Sequence, residues 1–344
     1  MASLHQTFTH IANIISYKSD QIKLCNDIKN NLIDWDDVVK VASDHLVLTT
    51  VFCRLQEKSL LNLIPNDLKQ YLEEITAINR NRNLDLLEDI KSVSSLLSKA
   101  HINHVFLKGS ALLVSDYFED LGERMIGDID ILVDANQITL AKINLIEHGY
   151  KKIPLRLSDK YQKKRHIPRL VNNEKLAALE IHSQLLRVGH THKLEALKVL
   201  QNKRNMNGVF VPSSKDLMAH NILDFQINDR GNYYNSIHLK HIFDGLVIAK
   251  KDKLLRIDTI PDYRKYFLFS SIYFLDFDSV NKTIWDKILH GFFLLRLKQK
   301  PLNNIWCFLI KKIVYLKVLF KRGILFLTNS DYRKDIIKVI KPKP

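Results

Sequence analysis

The chain has 344 residues, of which 46% are hydrophobic and 26% are charged, and its formal net charge at pH 7 is +15. This composition is ordinary for a globular protein, and the length suggests two or three domains. The three cysteines, Cys25, Cys53 and Cys307, are odd in number and far apart, which excludes a disulfide framework and a zinc ribbon. Together with an N-terminus that lacks the pattern of a signal peptide, this usage predicts a reducing, cytoplasmic location.

The first 100 residues predict helices. Apolar residues recur three and four positions apart, as in Ile11, Ile14 and Ile15, which is the spacing of one helix face. Glycine is absent from this region, and Pro65 is its one proline, so little interrupts the helical pattern. We therefore predict an N-terminal helical region over residues 1–100.

The pattern changes at His101. Short apolar runs bounded by glycine and polar residues now alternate with helical stretches, in the order strand 104–107, helix 111–118, strand 128–133, helix 137–148 and strand 175–182. This alternation predicts a small domain with a sheet over residues 101–212. Helical spacing returns after Pro212, so the predicted fold class is α+β, with a C-terminal helical region over residues 213–344.

The C-terminal region carries most of the excess charge. From Asn281 to Pro344 the chain has 15 Lys and Arg against 3 Asp, a balance of 15 − 3 = +12. The apolar stretch 305–327 within it has the length of a membrane span, but five Lys and Arg residues interrupt it. Two interpretations remain open for this stretch: a packed amphipathic helix, and a helix lying on the anionic inner face of a membrane.

Asp128 and Asp130 stand on a run that otherwise predicts a buried strand. Alternate strand residues share a face, so both carboxylates point the same way, with Cα atoms about 7 Å apart. Glu180 in the third predicted strand is expected on the same face if the two strands are neighbours. Carboxylate oxygens are preferred ligands of Mg²⁺, and three such acids would hold two metal ions, as in enzymes of phosphoryl and nucleotidyl transfer. Mn²⁺ is the alternative ion.

The Lys108-Gly109-Ser110 turn predicts a phosphate site beside these acids. Glycine allows the backbone to approach a ligand, the Ser110 hydroxyl is a hydrogen-bond donor, and a helix is expected to begin here. Lys108 supplies a positive charge, and Arg124 is a candidate bidentate partner of the same phosphates. The acids and the turn together predict a site for a metal and a phosphate.

The order Gly109-Ser110, Asp128-x-Asp130 and Glu180 resembles the nucleotidyltransferase fold of the DNA polymerase β superfamily. Within it, the sequence is similar to the bacterial group labelled uncharacterised nucleotidyltransferase family proteins, through FLKGSALL, ERMIGDIDILV and LEIHSQLL. The resemblance implies a small mixed-sheet domain that transfers a nucleoside monophosphate from an NTP such as ATP to an acceptor hydroxyl or phosphate. It leaves the acceptor open, and we favour a small metabolite or sugar phosphate over RNA or protein, because no nucleic-acid motif is evident.

Several further residues have alternative interpretations. His182 shares a strand face with Glu180 and is expected at the edge of the site or as a structural donor. His220 and Asp244 lie on predicted helices after the sheet domain, where they are expected near the nucleotide or acceptor, or in structural hydrogen bonds. The basic loop 155–170 is expected over the triphosphate, against an anionic acceptor, or in solvent. The alternative function is an inactive nucleotide-binding or regulatory module.

Overall fold

A computed structural model describes residues 2–154, 161, 165–252, 261–277 and 282–340 of the chain. Its helices are α1 (Leu4–Ile15), α2 (Gln21–Lys29), α3 (Trp35–Asp44), α4 (Leu48–Glu57), α5 (Asn66–Lys99), α6 (Lys108–Val114), α7 (Ile138–Glu147), α8 (Ala196–Gln201), α9 (Ser214–Leu223), α10 (Gly231–Tyr234), α11 (Leu239–Asp252), α12 (Pro261–Ser270), α13 (Ile284–Lys298), α14 (Lys300–Thr328) and α15 (Ser330–Ile340). Its strands are β1 (His104–Phe106), β2 (Ile129–Val133), β3 (Lys151–Lys152), β4 (Leu170–Val171), β5 (Leu179–His182), β6 (Arg204–Met206) and β7 (Val209–Val211).

The first 100 residues fold as helices, as the sequence predicts. Helix α1 begins with a capping box, in which the Ser3 side chain accepts from the Gln6 backbone while the Gln6 side chain accepts from Ser3. The apolar residues of α1 from Phe8 to Ile15 are buried. Helix α5 runs for 34 residues without a glycine or proline and ends at Lys99, with Ala100 as its C-cap, before His101 adopts a positive φ of 55°.

The described chain has more strands than predicted. Its five-stranded sheet has the order β1-β2-β5-β4-β3, in which β2 and β5 are parallel and the other neighbours are antiparallel. The three predicted strands are present but shorter, and Asp128 lies just before β2. Strands β3 and β4, and the separate β6–β7 hairpin, were not predicted, because two or three residues are too few to show an alternating pattern.

The two faces of the sheet meet different cores. Ile129, Ile131 and Val133 pack against α5 and α7, and Leu132 faces a second core built from helices of both terminal regions. That second core includes residues from each of the three predicted parts of the chain. The division at residues 100 and 212 therefore stays a prediction. The α+β fold class is confirmed.

The basic helix α14 lies at the surface. None of its 29 residues, all of which the structure describes, is buried. It is attached by α13 and α15 and by a hydrogen bond of 2.7 Å from the Trp306 indole to the Tyr234 carbonyl. Both interpretations of this stretch, a packed amphipathic helix and a helix on an anionic membrane surface, therefore stay predictions. No helix in the described ranges has the length and apolar character needed to cross a bilayer.

Candidate active site

The acidic residues predicted from the sequence meet on adjacent strands. Asp130 and Glu180 are direct partners in the parallel register of β2 and β5, and Asp128 lies at the entry to β2. Asp130 is 8% exposed and Glu180 is 9% exposed. The side chains between these acids, such as Ile129 and Ile131, point into the opposite core. The expectation that the third strand lies beside the aspartate strand is confirmed.

Buried amides of α5 fix the loop that leads into β2. The side-chain nitrogen of Asn79 donates to the carbonyls of Gly122 and Arg124 over 2.7 and 3.1 Å. That of Asn83 donates to the carbonyls of Leu121 and Arg124 over 2.6 and 2.8 Å. These bonds satisfy loop carbonyls that would otherwise be buried without partners. The sequence analysis missed this support, because two asparagines within a helical pattern do not reveal what they bind.

Lys108 lies between two buried carboxylates. Its ammonium nitrogen is 2.8 Å from Asp130 Oδ1 and 3.8 Å from Asp224 Oδ2. Lys108 has a φ of +51°, a conformation that is unfavourable for a residue other than glycine and that is concentrated at functional sites. Helix α6 begins at Lys108 and ends at Val114, so the predicted helix bounds 111–118 are wrong and residues 108–110 form its first turn. A Cβ atom on the neighbouring Gly109 would lie 3.1 Å from Ile126, so glycine permits this first turn of α6 to approach the loop before β2.

Asp224 is a site residue that the sequence analysis did not identify. It follows α9 in a π-helical segment, Asp224–Asn228, and is 5% exposed. Besides Lys108, it pairs with Arg165 NH1 over 3.0 Å and accepts from the Asn228 side chain over 2.6 Å. A π-helical turn frequently marks a functional site, but it leaves no signature in the residue pattern. Asp224 thus joins the turn after β1 to the basic loop.

The histidine predicted at the edge of the site lies within it. His182 is 1% exposed, and its Nε2 is 2.8 Å from Asp130 Oδ1 and 3.3 Å from Glu180 Oε2. Its Nδ1 is buried with no hydrogen-bond partner in the described parts of the chain. His182 therefore bridges the two facing acids as a hydrogen-bond donor.

Asp128 is separated from this buried group. Its carboxylate pairs with Arg169 over 2.7 Å, and Arg169 also lies 3.4 Å from Glu180 Oε1. The Arg169 side chain is 49% exposed and that of Asp128 is 28% exposed. This pair forms the solvent-facing edge of the site. Of the basic loop 155–170 that contains Arg165 and Arg169, residues 155–160 and 162–164 lie outside the described part of the chain.

The network determines which groups are charged. Burial opposes ionisation of Asp130, but Lys108 and His182 outweigh it, so the pKa of Asp130 is lowered. The same balance lowers the pKa of Asp224, where Lys108 again provides the largest favourable interaction. Burial opposes the charged form of Lys108, yet Asp224 and Asp130 raise its pKa. The pKa of Asp128 is raised chiefly by burial, with Arg169 acting against the shift.

Arg124 has a partner in the helical region. Its guanidinium makes a bidentate ion pair with Asp244 over 2.6 and 2.8 Å, and both residues are buried. Its role as a phosphate partner stays a prediction, and this geometry favours a structural role for both Arg124 and Asp244. The pair fixes the loop before β2 against α11.

The two remaining predicted residues are deeply buried. The hydroxyl of Ser110 has no hydrogen-bond partner among the described residues, and the side chain is 1% exposed. His220 lies beside Lys108 and Asp224 at a small internal cavity, and burial lowers its pKa to about 4, so it is neutral at physiological pH. Roles for Ser110 in phosphate binding and for His220 near a ligand stay predictions.

A cavity of 330 Å³ opens over these groups. Its walls carry acids and cations in equal number, namely Asp128, Asp130, Glu180, Asp224 and Asp229 against Lys108, Arg124, Arg165, Arg169 and Lys240. Ligand atoms of Asp130, Glu180 and His182 lie within 4.8 Å of one another, which is close enough for a shared ion. The carboxylate oxygens on this wall fit a hard divalent cation, and the cations fit phosphates.

A family model and a solved structure match parts of this chain. A solved structure that resembles this chain is that of an antigenic nucleotidyltransferase-like protein from Paracoccidioides brasiliensis. The match covers 52% of this chain and 84% of that protein's chain, with 14% sequence identity and a TM-score of 0.35. No curated protein matches the chain. The model of one family, described as uncharacterised nucleotidyltransferase, matches residues 31–250, which is more than half of the chain. The protein therefore belongs to this family of uncharacterised nucleotidyltransferases.

Proposed function

We propose that the protein is a divalent-metal-dependent nucleotidyltransferase, with Mg²⁺ as the physiological ion and ATP or another NTP as the donor. In the reaction, an oxygen of the acceptor forms a bond to the α-phosphorus of the NTP. The bond from that phosphorus to the β-phosphate oxygen breaks, pyrophosphate leaves, and an acceptor hydroxyl loses its proton. The products are pyrophosphate and an acceptor that carries a nucleoside monophosphate.

The observation that supports this proposal most directly is the pairing of Asp130 with Glu180 across β2 and β5, with Asp128 at the strand entry. The three carboxylates supply oxygen ligands on one wall of the cavity. When bound there, a divalent ion would make the acceptor oxygen more nucleophilic and stabilise charge on the leaving pyrophosphate. The sequence resemblance assigns the same three residues this role.

The cations of the cavity are placed to bind the donor phosphates. Lys108 and Arg165 share Asp224 as a partner, which holds both in place over distances of 3.8 and 3.0 Å. Arg169 adds a guanidinium at the exposed edge. Because a guanidinium binds two phosphate oxygens at once, Arg165 and Arg169 would orient the polyphosphate, while Lys108 acts as a single charge next to Asp130.

The acceptor in this proposal is a small metabolite or sugar phosphate. A cavity of 330 Å³ lies at the lower end of the range for small-molecule sites. The exposed Arg169 would be available to a phosphate or carboxylate of such an acceptor. RNA and protein side chains are the less favoured acceptors, since the described lining residues form a cavity of small-molecule size.

The first test separates binding from turnover. The full-length protein is titrated by calorimetry with a nonhydrolysable NTP analogue in the presence of Mg²⁺, and we expect binding that Asp130→Asn weakens at least about a hundredfold. Asp85→Asn, at an exposed acid on α5, is the control and should bind as the unchanged protein does. If the protein binds no NTP analogue with any divalent ion, the proposal is wrong.

The second test uses labelled NTPs and a panel of small hydroxylated and phosphorylated acceptors. We expect pyrophosphate release that Asp128→Asn, Asp130→Asn and Glu180→Gln each abolish. Binding that is lost on Asp130→Asn, without turnover on any acceptor class, would support the alternative of an inactive nucleotide-binding or regulatory module. Turnover that survives all three substitutions would instead place the reaction at another site.

We also propose that the protein works in the cytoplasm at the anionic inner face of a membrane. The observation that favours this is the exposed stripe Leu309, Ile313, Leu316 and Phe320 on α14, whose members are 50%, 49%, 63% and 71% exposed. Lysines 311, 312, 317 and 321 lie among them. Apolar side chains flanked by lysines suit the interface of an anionic bilayer, where each cation contributes about 1 kcal/mol.

Vesicle flotation tests this localisation. The protein should float with vesicles that contain phosphatidylglycerol and remain below vesicles of phosphatidylcholine alone. The double change Leu316→Asp and Phe320→Asp should abolish flotation, whereas Ile78→Asp with Leu84→Asp, which alters exposed apolar residues of α5, should not. If the α14 double variant floats as well as the α5 double variant, α14 is excluded as the binding surface.

A further inference from the structure

A second cavity, on the other side of the loop that leads into β2, has a volume of 730 Å³. It lies between α4, the segment 116–123 and α11, and it shares none of its described lining residues with the candidate active site. Tyr17, Tyr117 and Phe118 supply aromatic surface to its walls. A volume of this size accommodates a small organic molecule. We call it the Glu123 cavity.

Glu123 contributes an unpaired acidic group to this cavity. The residue is 6% exposed, and its Oε1 is buried with no hydrogen-bond partner in the described chain. Its backbone is held in place, since the carbonyl accepts from the hydroxyls of Thr49 and Thr50 over 3.0 and 2.8 Å. A buried carboxylate without a partner is costly, so each such group calls for an explanation.

The cations of the cavity already have other partners. Arg54 pairs with Glu57, and Lys250 lies 3.8 Å from Glu119 and 4.2 Å from the centre of the Tyr17 ring. Lys251 donates to the Ser115 carbonyl over 3.0 Å and to the Asp116 carbonyl. Glu123 thus has a buried carboxylate oxygen, Oε1, that no described residue of the cavity walls binds.

Two further features indicate which ligand groups would pair with the polar atoms of the Glu123 cavity. Burial raises the pKa of Glu123 to about 7, although Arg54 acts in the opposite direction, which shows that the nearby cations do not offset the burial. The Nε of Arg54 is also buried without a hydrogen-bond partner among the described residues. The cavity therefore offers an unmatched acceptor at Glu123 and an unmatched donor at Arg54, next to aromatic side chains.

We propose that the Glu123 cavity binds a small organic amine that carries a hydroxyl group. The ammonium pairs with the Glu123 carboxylate, the hydroxyl oxygen accepts from Arg54 Nε, and the apolar body lies against the aromatic wall. This proposal is independent of the nucleotidyl transfer proposed above, since it concerns different residues and a different ligand. Bound amine would occupy the face of the loop opposite Arg124 and the strand acids.

Calorimetric titration of the full-length protein with phenylethanolamine tests the proposal. Styrene glycol, in which a hydroxyl replaces the amine, is the matched neutral probe. We expect the amine to bind to the unchanged protein. Styrene glycol should bind to the unchanged protein at least about tenfold more weakly, because a charged hydrogen bond is lost. The amine should bind to Glu123→Gln at least about tenfold more weakly for the same reason. Glu119→Gln removes a rim acid that is 83% exposed and should leave the amine affinity within about twofold.

The controls keep every outcome decisive. Glu123→Gln should unfold at a temperature no lower than the unchanged protein, which shows that it is folded. Should that variant fail to fold, Glu123→Asp keeps the charge but shortens the side chain by one methylene, and it should weaken amine binding while leaving the fold intact. Absence of amine binding to the unchanged protein, which corresponds to a cavity filled by water alone, overturns the proposal. Equal binding of the amine to Glu123→Gln overturns it as well.

Discussion

The substitution Glu123→Gln should remove one pH-dependent penalty on stability. The Glu123 carboxyl has an ordinary pKa of 4.5, and burial raises the pKa to about 7 in the folded protein. Arg54 and Lys250 act against this shift, and Asp120 and Glu119 add to it. The folded state therefore holds a proton between these two pKa values that the unfolded state has released. By linkage, the contribution of Glu123 to stability falls as pH rises through this range and levels off above pH 7.

The size of the effect follows from the two pKa values. A difference of one pKa unit corresponds to about 1.4 kcal/mol. The shift from 4.5 to about 7 therefore lowers the unfolding free energy by at most about 3 kcal/mol at pH values above the folded-state pKa. At pH 5, where the unfolded carboxyl is already partly ionised, the penalty is about 1 kcal/mol. The difference in unfolding free energy between Glu123→Gln and the unchanged protein should therefore grow by about 2 to 3 kcal/mol from pH 5 to pH 8, in favour of the variant.

Urea unfolding measures this difference. Denaturation curves for the unchanged protein and for Glu123→Gln are recorded at several pH values in this range, and the difference in unfolding free energy is plotted against pH. Taking a difference cancels every group that titrates alike in both proteins. Glu119→Gln should give a flat difference, because that side chain is 83% exposed. A flat difference for Glu123→Gln would show that its carboxyl is solvated or paired, and it would refute both the linkage argument and the unmatched charge of the cavity.

Three further substitutions test other parts of the structure. Asp244→Ala leaves the buried Arg124 without its partner and should lower the unfolding free energy by about 3 to 5 kcal/mol in urea titrations, whereas Glu88→Ala at an exposed pair should change it by less than about 1 kcal/mol. Gly122→Ala would place a Cβ atom 2.7 Å from the Thr76 carbonyl oxygen, and the melting temperature should fall by several degrees. Lys108→Gln should weaken NTP binding about tenfold or more in calorimetry, because a charged hydrogen bond to phosphate is lost.

The sequence predicted that the three acids lie on neighbouring strands, for a physical reason. Asp128, Asp130 and Glu180 interrupt apolar strands, and an acid in such a run indicates a special environment. Their common face follows from the two-residue repeat of a strand. Glu180 was expected beside the aspartates only if β2 and β5 are neighbours, and the two strands are paired in parallel with Asp130 opposite Glu180.

The residues that support the site from the helical regions could not be predicted in the same way. Asp224 and Asn83 lie on helical segments far from the strands in sequence, and nothing in their local pattern shows that they face the site. Arg124 was expected to bind phosphate because of its position before Asp128, yet the residue that binds its guanidinium is 120 positions away. Such contacts depend on how the helical regions pack on the sheet, which local periodicity does not encode.

The charges of the candidate site constrain what can bind there. Lys108 offsets the charge of Asp130, His182 donates a hydrogen bond to the same carboxylate, and Arg169 offsets Asp128, so the acids are stabilised by side chains of the chain itself. A metal ion alone would have to compete with these cations, and a polyphosphate alone would have to compete with the carboxylates. When a ligand carries both a metal ion and phosphates, the carboxylates can pair with the metal ion and the cations of the chain can pair with the phosphates. No buried charge is then left unpaired. The balance of acids and cations in the cavity therefore matches a metal–nucleotide complex better than either component alone, and this accounts for a lysine next to an acid that is expected to bind metal.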